Sequence, residues 1–289
     1  MLAGRHLLND PVEVVVHKTP PSDFGIVDKE KSHLKRILER GVLRVGYNPD
    51  RLPFTFFNNA GELVGFDVEM AHRLAKELGV SLEFIPFAVD TMAKQLNGGH
   101  FDVIMAGVPM YTERLETMSF SAPYLDVTFA FVVKDNRREE FATVEKIIGT
   151  RGRGLTFGVR GGYEYYSNRA KETLPLAKVT QLESYRDFFE DNTGKVDALV
   201  TSAEVGSAWT LLYPEYQVVV PKPVLSLVPL GYPVAHGNTE MADFLSRWID
   251  LKKKDNTIEA IYNFWILGQG VTEKKPRWSI MRNVLHWVE

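Results

Sequence analysis

At 289 residues, 45% of them hydrophobic, the chain is long enough for one large domain or two modest ones and has ample material for a core. A formal net charge of -3, from 34 basic and 37 acidic residues, excludes the strong field that would make nucleic acid or an anionic membrane the main partner. The absence of cysteine excludes disulfides, thiolate metal sites and cysteine nucleophiles, and is compatible with an oxidising compartment.

The opening stretch, MLAGRHLLNDPVEVVV, has too short an apolar core and too early an Asp-Pro for a signal peptide, and no later run reaches about 18 apolar residues. The expectation is a soluble chain without direct membrane insertion. It either works in the cytoplasm or has been separated from whatever exports or anchors it. Residues 1–30 alternate weakly at Val12, Val14 and Val16, pass through Thr19-Pro20-Pro21-Ser22, and read as an N-terminal extension or connector.

Residues 31–40 place Leu34, Ile37 and Leu38 on one helical face, and Gly41 stops that helix before a strand over 42–47. A first loop follows over 48–54. After a turn at Gly61 to Gly65, Asp67 reads as the cap of a helix with an apolar stripe at Val68, Ala71, Leu74, Ala75 and Leu78. A strand over 81–87, a short helix over 91–96 and a buried strand ending at Ile104 complete a strand, helix, strand, helix, strand order, which predicts a parallel sheet.

Loops at the carboxyl ends of parallel strands are where α/β proteins bind ligands, and the loop 105–124 carries a Gly, a Pro and a lone Arg. Arg114 offers a planar fork that matches a carboxylate, a contact strengthened where water is shielded. The same residue also fits a surface ion pair with Glu113 or Glu116. Composition and spacing leave both readings open.

A strand over 128–134 leads into a second alternating region, with strands at 155–159, 179–182, 196–200 and 217–220 and helices near 141–148, 163–173, 184–191 and 203–212. A return strand over 225–235 and helices over 239–251 and 258–267 follow. Residues 276–289 place Trp278, Met281, Leu285 and Val288 at helical spacing, a stripe that reads as core. The seven histidines show no short paired spacing, so no metal site is expected. The glycine-rich stretch 149–154 lacks the Lys-Ser/Thr of a phosphate loop, and no cofactor is implied.

Four segments, GVLRVGYNPDRLPFTFFNNAGELVGFDVEMAHRLAKELGV, LNGGHFDVIMAGVPMYTERLETMSFSAPY, FGVRGGYEYY and KVDALVTSAEVGSAW, together resemble the type 2 periplasmic solute-binding proteins, in particular their amino-acid and polar-solute branch. The resemblance spans about residues 35–270. It implies an α/β fold of two lobes, each a mostly parallel sheet flanked by helices, joined by two crossover strands that close about a hinge on a ligand in the cleft. Here 128–134 would be one crossover and the stretch near 225–233 the other. Lobe 1 would be discontinuous, comprising 31–130 and 228–289, and lobe 2 would comprise 131–227.

Carried over residue by residue, the resemblance assigns the ligand to Asn48, Arg51, Gly107 and Arg114 in the first lobe. Pro109 stands where the family has a hydroxyl, so one carboxylate anchor is missing. In the second lobe the family's hydroxyl-rich turn becomes Arg160, Gly161, Gly162 and Tyr163, which keeps backbone donors ahead of a helix. The family's ammonium-binding Asp becomes Ser202. Glu204 either substitutes for it or lies outside the cleft; Arg51 is also readable as a solvated loop residue and Tyr163 as packing, and Asp102 and Asp197 read as loop-structuring. Losing acids and gaining Arg51 implies a small anionic solute: a carboxylate, dicarboxylate or acidic amino acid.

The segments 201–216, 263–268 and 276–288 further resemble solute-binding domains fused C-terminally to cation:dicarboxylate symporters. That implies a periplasmic or extracytoplasmic domain, membrane-tethered in the full-length protein, with a transporter as partner and 1–30 as connector. Two other functions remain open on the same fold: a cyclohexadienyl or arogenate dehydratase, with Glu164 or Glu204 as the acid, and the ligand-sensing domain of a signalling receptor.

Overall fold

The computed structural model of the protein describes residues 12–22, 31–151, 154–191 and 194–269. In chain order the first elements are β1 (Val14–Val16), α1 (His33–Arg40), β2 (Val42–Tyr47), β3 (Asp50–Arg51), β4 (Thr55–Phe57), β5 (Leu63–Val64), α2 (Phe66–Leu78), β6 (Ser81–Pro86), α3 (Met92–Asn97), β7 (Val103–Ile104), α4 (Thr112–Leu115) and β8 (Met118–Phe120). There follow β9 (Leu125–Lys134), α5 (Val144–Arg151), β10 (Thr156–Arg160), α6 (Glu164–Thr173), β11 (Lys178–Leu182), α7 (Arg186–Phe189), β12 (Ala198–Ser202), α8 (Ala203–Thr210) and β13 (Tyr216–Val219). The last are β14 (Leu227–Leu230), β15 (Pro233–Ala235), α9 (Thr239–Lys254) and α10 (Thr257–Trp265).

The chain forms two compact units. One comprises the residues up to Leu125 together with Pro229–Trp265, the other Asp126–Val228 with Ile266–Gly268. The backbone passes from the first to the second within β9 and returns within β14.

In the first unit β1, β6, β2 and β7 lie side by side, all parallel, with Val14 opposite Leu82, Leu43 opposite Leu82 and Val45 opposite Val103. Leu43, Val45, Leu82, Phe84, Val103 and Ile104 bury their side chains in this sheet, the continuous apolar burial expected of parallel strands covered by helices. Helices α1 and α2 each end on a glycine in the left-handed conformation, Gly41 and Gly79, whose amides satisfy the last carbonyls. Within the stretch read as a connector, Val14–Val16 adds an edge strand beyond β6, and the Tyr47 hydroxyl donates to the His17 carbonyl at 2.7 Å.

The second unit holds β11, β10 and β12 in parallel, with β9 antiparallel to β12, β13 antiparallel to β9 on its other side, and β14 paired to β9. Both units close their sheets with the same device. Asp102, before β7, accepts the amide of Arg44 at 2.8 Å and also binds Arg40; Asp197, before β12, accepts the amide of Thr156 at 2.8 Å and binds Arg137 at 2.8 Å. Each aspartate thereby ties the start of one strand to the start of its neighbour, the loop-structuring role expected of both.

The return strand expected over 225–235 is split. β14 pairs with β9, whereas β15 pairs antiparallel with β8, and Gly231 and Tyr232 occupy the change of partner. The helical pattern expected over 276–289 lies outside the described residues.

Helix α2 begins at a crowded corner. The amides of Phe66 and Asp67 donate to the carbonyls of Pro53 and Phe54 at 3.0 Å each, so backbone from the first loop satisfies the helix N-terminus. Gly65 sits at the cap position with φ +135°, and a Cβ there would lie 2.2 Å from the Phe54 carbonyl oxygen. Replacing Gly65 with Ala should therefore destabilise the protein by about 3 kcal/mol or more, or prevent folding, as measured by denaturant unfolding.

Candidate functional site

In each unit the assigned residues follow the carboxyl ends of adjacent parallel strands. β2 runs into Asn48 and Arg51, and its neighbour β7 runs into the loop that carries Gly107 and Arg114. β10 runs into the 160–163 turn, and its neighbour β12 ends at Ser202 with Glu204 just beyond. Chain connectivity alone thus gathers Asn48 with the Arg114 loop, and the 160–163 turn with Ser202.

Arg114 is 6% exposed, which is not the setting of a solvated surface ion pair. Its Nη1 donates to the Pro109 carbonyl at 3.1 Å and its guanidinium lies 4.8 Å from the centre of the Tyr111 ring. Pro109 brings no N–H to this loop, yet its carbonyl steadies the arginine that follows. Arg51 is 1% exposed, so it is not a solvated loop residue either. Its Nε and Nη2 both donate to the Gly107 carbonyl, at 3.3 and 3.0 Å, which makes it a brace for the Arg114 loop. Asn48 is buried and its Oδ1 accepts the Asp50 amide at 3.0 Å, a local turn that shapes the first loop.

The residue that organises this loop, Asp67, has the sequence pattern of a helix cap. Asp67 is instead in the first turn of α2, fully buried, with its carboxylate directed across to other segments. Oδ2 accepts the Gly107 amide at 2.5 Å and the Tyr124 hydroxyl at 2.9 Å, and Oδ1 accepts the Tyr232 hydroxyl at 3.0 Å. The rings of Tyr124 and Tyr232 stack 4.3 Å apart, with Phe66 stacked on the other side of Tyr124 at 5.7 Å. Gly107 itself has φ +61°, and a Cβ there would lie 2.6 Å from the Phe54 ring, so only glycine fits between the two charged braces.

Burial pushes the Asp67 carboxyl up from the usual carboxylate range to about 7, against the opposing pull of its three hydrogen bonds and of the Arg51 charge. Burial and the adjacent Asp67 charge likewise drive both tyrosine hydroxyls well above their ordinary range, so these remain donors.

In the second unit two of the backbone donors expected to face an anion, the amides of Gly161 and Tyr163, are used within the fold. The Gly161 amide donates to the Leu182 carbonyl at 2.9 Å, extending the β10–β11 ladder. The Tyr163 amide donates to the Arg160 carbonyl at 3.2 Å, closing a turn whose third residue, Gly162, has φ +79°. Tyr163 is buried at the N-terminus of α6, and Arg160 is half-buried. Ser202 is buried and caps α8, accepting the Val205 amide at 3.3 Å. Glu204 is 7% exposed, and its carboxylate accepts the Thr128 amide on β9 at 3.2 Å, a tie within the unit. Among the described residues no cluster of three or more His, Asp or Glu is placed to hold a metal ion, and no helix is long and apolar enough to cross a membrane.

Comparison with known proteins places this geometry. The family model described as bacterial extracellular solute-binding proteins, family 3, matches residues 43–268. A cyclohexadienyl dehydratase from Pseudomonas aeruginosa is 27% identical over 82% of this chain and 87% of its own length. A putative ABC transporter arginine-binding protein 2 from Escherichia coli is 27% identical over 74% of this chain and 86% of its own. Among solved structures, the ancestral amino acid-binding protein AncCDT-1, a precursor of cyclohexadienyl dehydratase, superposes with a TM-score of 0.71 at 33% identity, covering 81% of this chain and all of the other. The architecture is the two-lobed periplasmic-binding-protein fold, mixed α/β in both lobes.

The raised Asp67 pKa has a definite sign. A carboxyl whose folded pKa lies above its unfolded value stabilises the folded state most below the unfolded pKa, and that contribution is lost as pH rises through the folded value. The stability of the wild type relative to Asp67→Asn should therefore fall by up to a few kcal/mol between about pH 4 and pH 8, as measured by denaturant unfolding across that range.

Proposed function

As the chain belongs to the bacterial extracellular solute-binding proteins, family 3, we propose that it captures a small anionic solute, a carboxylate, dicarboxylate or acidic amino acid, and presents it to a membrane transporter. The observation that carries this reading is Arg114. A buried guanidinium, steadied by the Pro109 carbonyl and the Tyr111 ring at the carboxyl end of β7, is suited to grip a carboxylate with its bidentate fork.

The preference for an anion is supported by the second unit. Ser202 stands where the family resemblance expects a carboxylate for a ligand ammonium, and its hydroxyl caps α8. The acid nearest in sequence, Glu204, receives the Thr128 amide, so it serves the fold of the second unit. In the first unit Asn48 shapes the first loop while Arg51 and Gly107 hold the Arg114 loop; in the second, Arg160 and Tyr163 flank the end of β10. The resemblance of 201–216 and 263–268 to domains fused to cation:dicarboxylate symporters supports a tethered, extracytoplasmic placement with the transporter on the same polypeptide.

Calorimetric titration should show binding of L-glutamate or succinate and none of L-arginine or L-lysine; tight binding of the cationic pair with no anion bound would reverse the assignment. A buried charge-assisted hydrogen bond contributes roughly 1.5–3 kcal/mol, so Arg114→Ala should weaken binding of the anion about ten- to a hundredfold.

The likeness to a cyclohexadienyl dehydratase keeps one enzymatic reading in play. Of the two acids available to it, Glu204 is bonded to the Thr128 amide and Glu164 opens α6. Incubation with prephenate or arogenate should yield no aromatic product, as followed by absorbance; product formation abolished by Glu164→Gln would establish the enzyme instead.

A further inference from the structure

We propose that Asp67 is a positioning residue for solute binding, a tie dependent on its proton that fixes the Arg114 loop to the segments flanking both backbone passages between the units. The positioning role rests on the solute-binding reading above; the three-donor tie stands on geometry, and its dependence on the proton on the burial of Asp67.

Three donors converge on the two oxygens of this carboxylate, and they come from three separate segments. Gly107 belongs to the loop leading to Arg114, Tyr124 is the residue before β9, and Tyr232 lies two residues after β14. The same three segments are laced together by backbone. Met110 donates to Pro229 at 2.8 Å, Gly231 to Val108 at 3.2 Å, Tyr124 to Leu230 at 2.9 Å and Ser121 to Tyr232 at 3.1 Å. Since β9 and β14 are the strands along which the chain leaves the first unit and returns, the carboxylate anchors the roots of both passages and the solute loop at one point.

The arrangement suits the ionised acid. A carboxylate only accepts and offers about four lone-pair positions, which accommodates three donors; protonation takes one position and leaves its oxygen a poorer acceptor. Oδ2 faces two donors and Oδ1 faces Tyr232 alone, so the proton falls on Oδ1 and weakens the bond that the Tyr232 hydroxyl donates there. The charged and titratable groups that act on Asp67 are Arg51 from β3, Tyr124 from the segment before β9 and Tyr232 from the segment after β14. Burial brings the exchange of this proton to about 7, so the Tyr232 link changes within the ordinary working range of pH. Arg51 grips the Gly107 carbonyl throughout, so the change falls on the tyrosine side of the knot.

The test uses the full chain with 13C-labelled tyrosine rings and 15N-labelled backbone, free of ligand, followed by NMR from about pH 5.5 to pH 8.5. Tyr124→Phe and Tyr232→Phe assign the ring signals. In the wild type the Tyr124 and Tyr232 rings and the Gly107 amide should move together with one midpoint near 7, and Asp67→Asn should abolish that movement while still melting cooperatively. Signals that stay still, or that titrate unchanged in Asp67→Asn, would overturn the tie. Calorimetry with L-glutamate and L-arginine at about pH 6 and pH 8 reads the consequence: whichever binds should bind about tenfold more tightly at the higher pH, and Asp67→Asn should remove that ratio. Equal affinity at both pH values in the wild type would overturn the positioning role. If neither solute binds at either pH, it is the solute-binding reading that fails, and the ring and amide signals still decide the tie.

Discussion

A carboxylate taken out of water at the start of a helix is the constraint on which the first unit depends. Asp67 cannot serve as the cap of α2, because the Pro53 and Phe54 carbonyls already receive the first amides of that helix. Its charge is instead compensated by a glycine amide, two tyrosine hydroxyls and the nearby Arg51, each brought by a different stretch of chain. An acid in such a place is costly to ionise and costly to strip of its donors, so the segments that supply them are held in one arrangement. Two preferences then oppose each other. The folded protein gains most when Asp67 is neutral, whereas the three-donor geometry suits the charged form, and near neutrality the two states are balanced.

The second unit buries an acid of its own, Glu204, which accepts the Thr128 amide, and it shares the first unit's way of aligning strand ends. Asp102 and Asp197 perform the same task in their respective sheets, tying neighbouring strand starts so that the opposite ends emerge level. Level strand ends put Asn48 beside the Arg114 loop in one unit and the 160–163 turn beside Ser202 in the other. What differs is the hardware at the tips. The first unit offers a steadied guanidinium, while the second offers a hydroxyl engaged as a cap and a glutamate engaged on β9.

The helices and parallel strands were legible because hydrophobic period and glycine stops are local properties. Of the stripe expected in α2, Val68, Ala71, Leu74 and Ala75 are buried and Leu78 is half-buried, with Met70 and His72 buried beside them, and Gly41 and Gly79 end their helices as the pattern requires. What escaped was set by partners distant in sequence. Nothing local distinguishes an acid that caps its own helix from one that reaches Tyr232, 165 positions away. The donors of Gly161 and Tyr163 could not be assigned without knowing that β11 lies alongside β10 and that Gly162 closes a tight turn. The split of the return strand likewise follows from a change of partner, from β9 to β8, which the residues mark locally only with Pro229, Gly231 and Pro233.

The added edge strand β1 has a mechanical meaning. It runs parallel to β6 through Val14 opposite Leu82 to Val16 opposite Phe84, and the bond from Tyr47 to His17 secures its far end. A pull on the chain ahead of Val14, directed along the strand, would load these rungs in shear and all together, whereas a pull across the strand would peel them singly. Load applied along β1 would thus pass through β6 into the central sheet of the first unit.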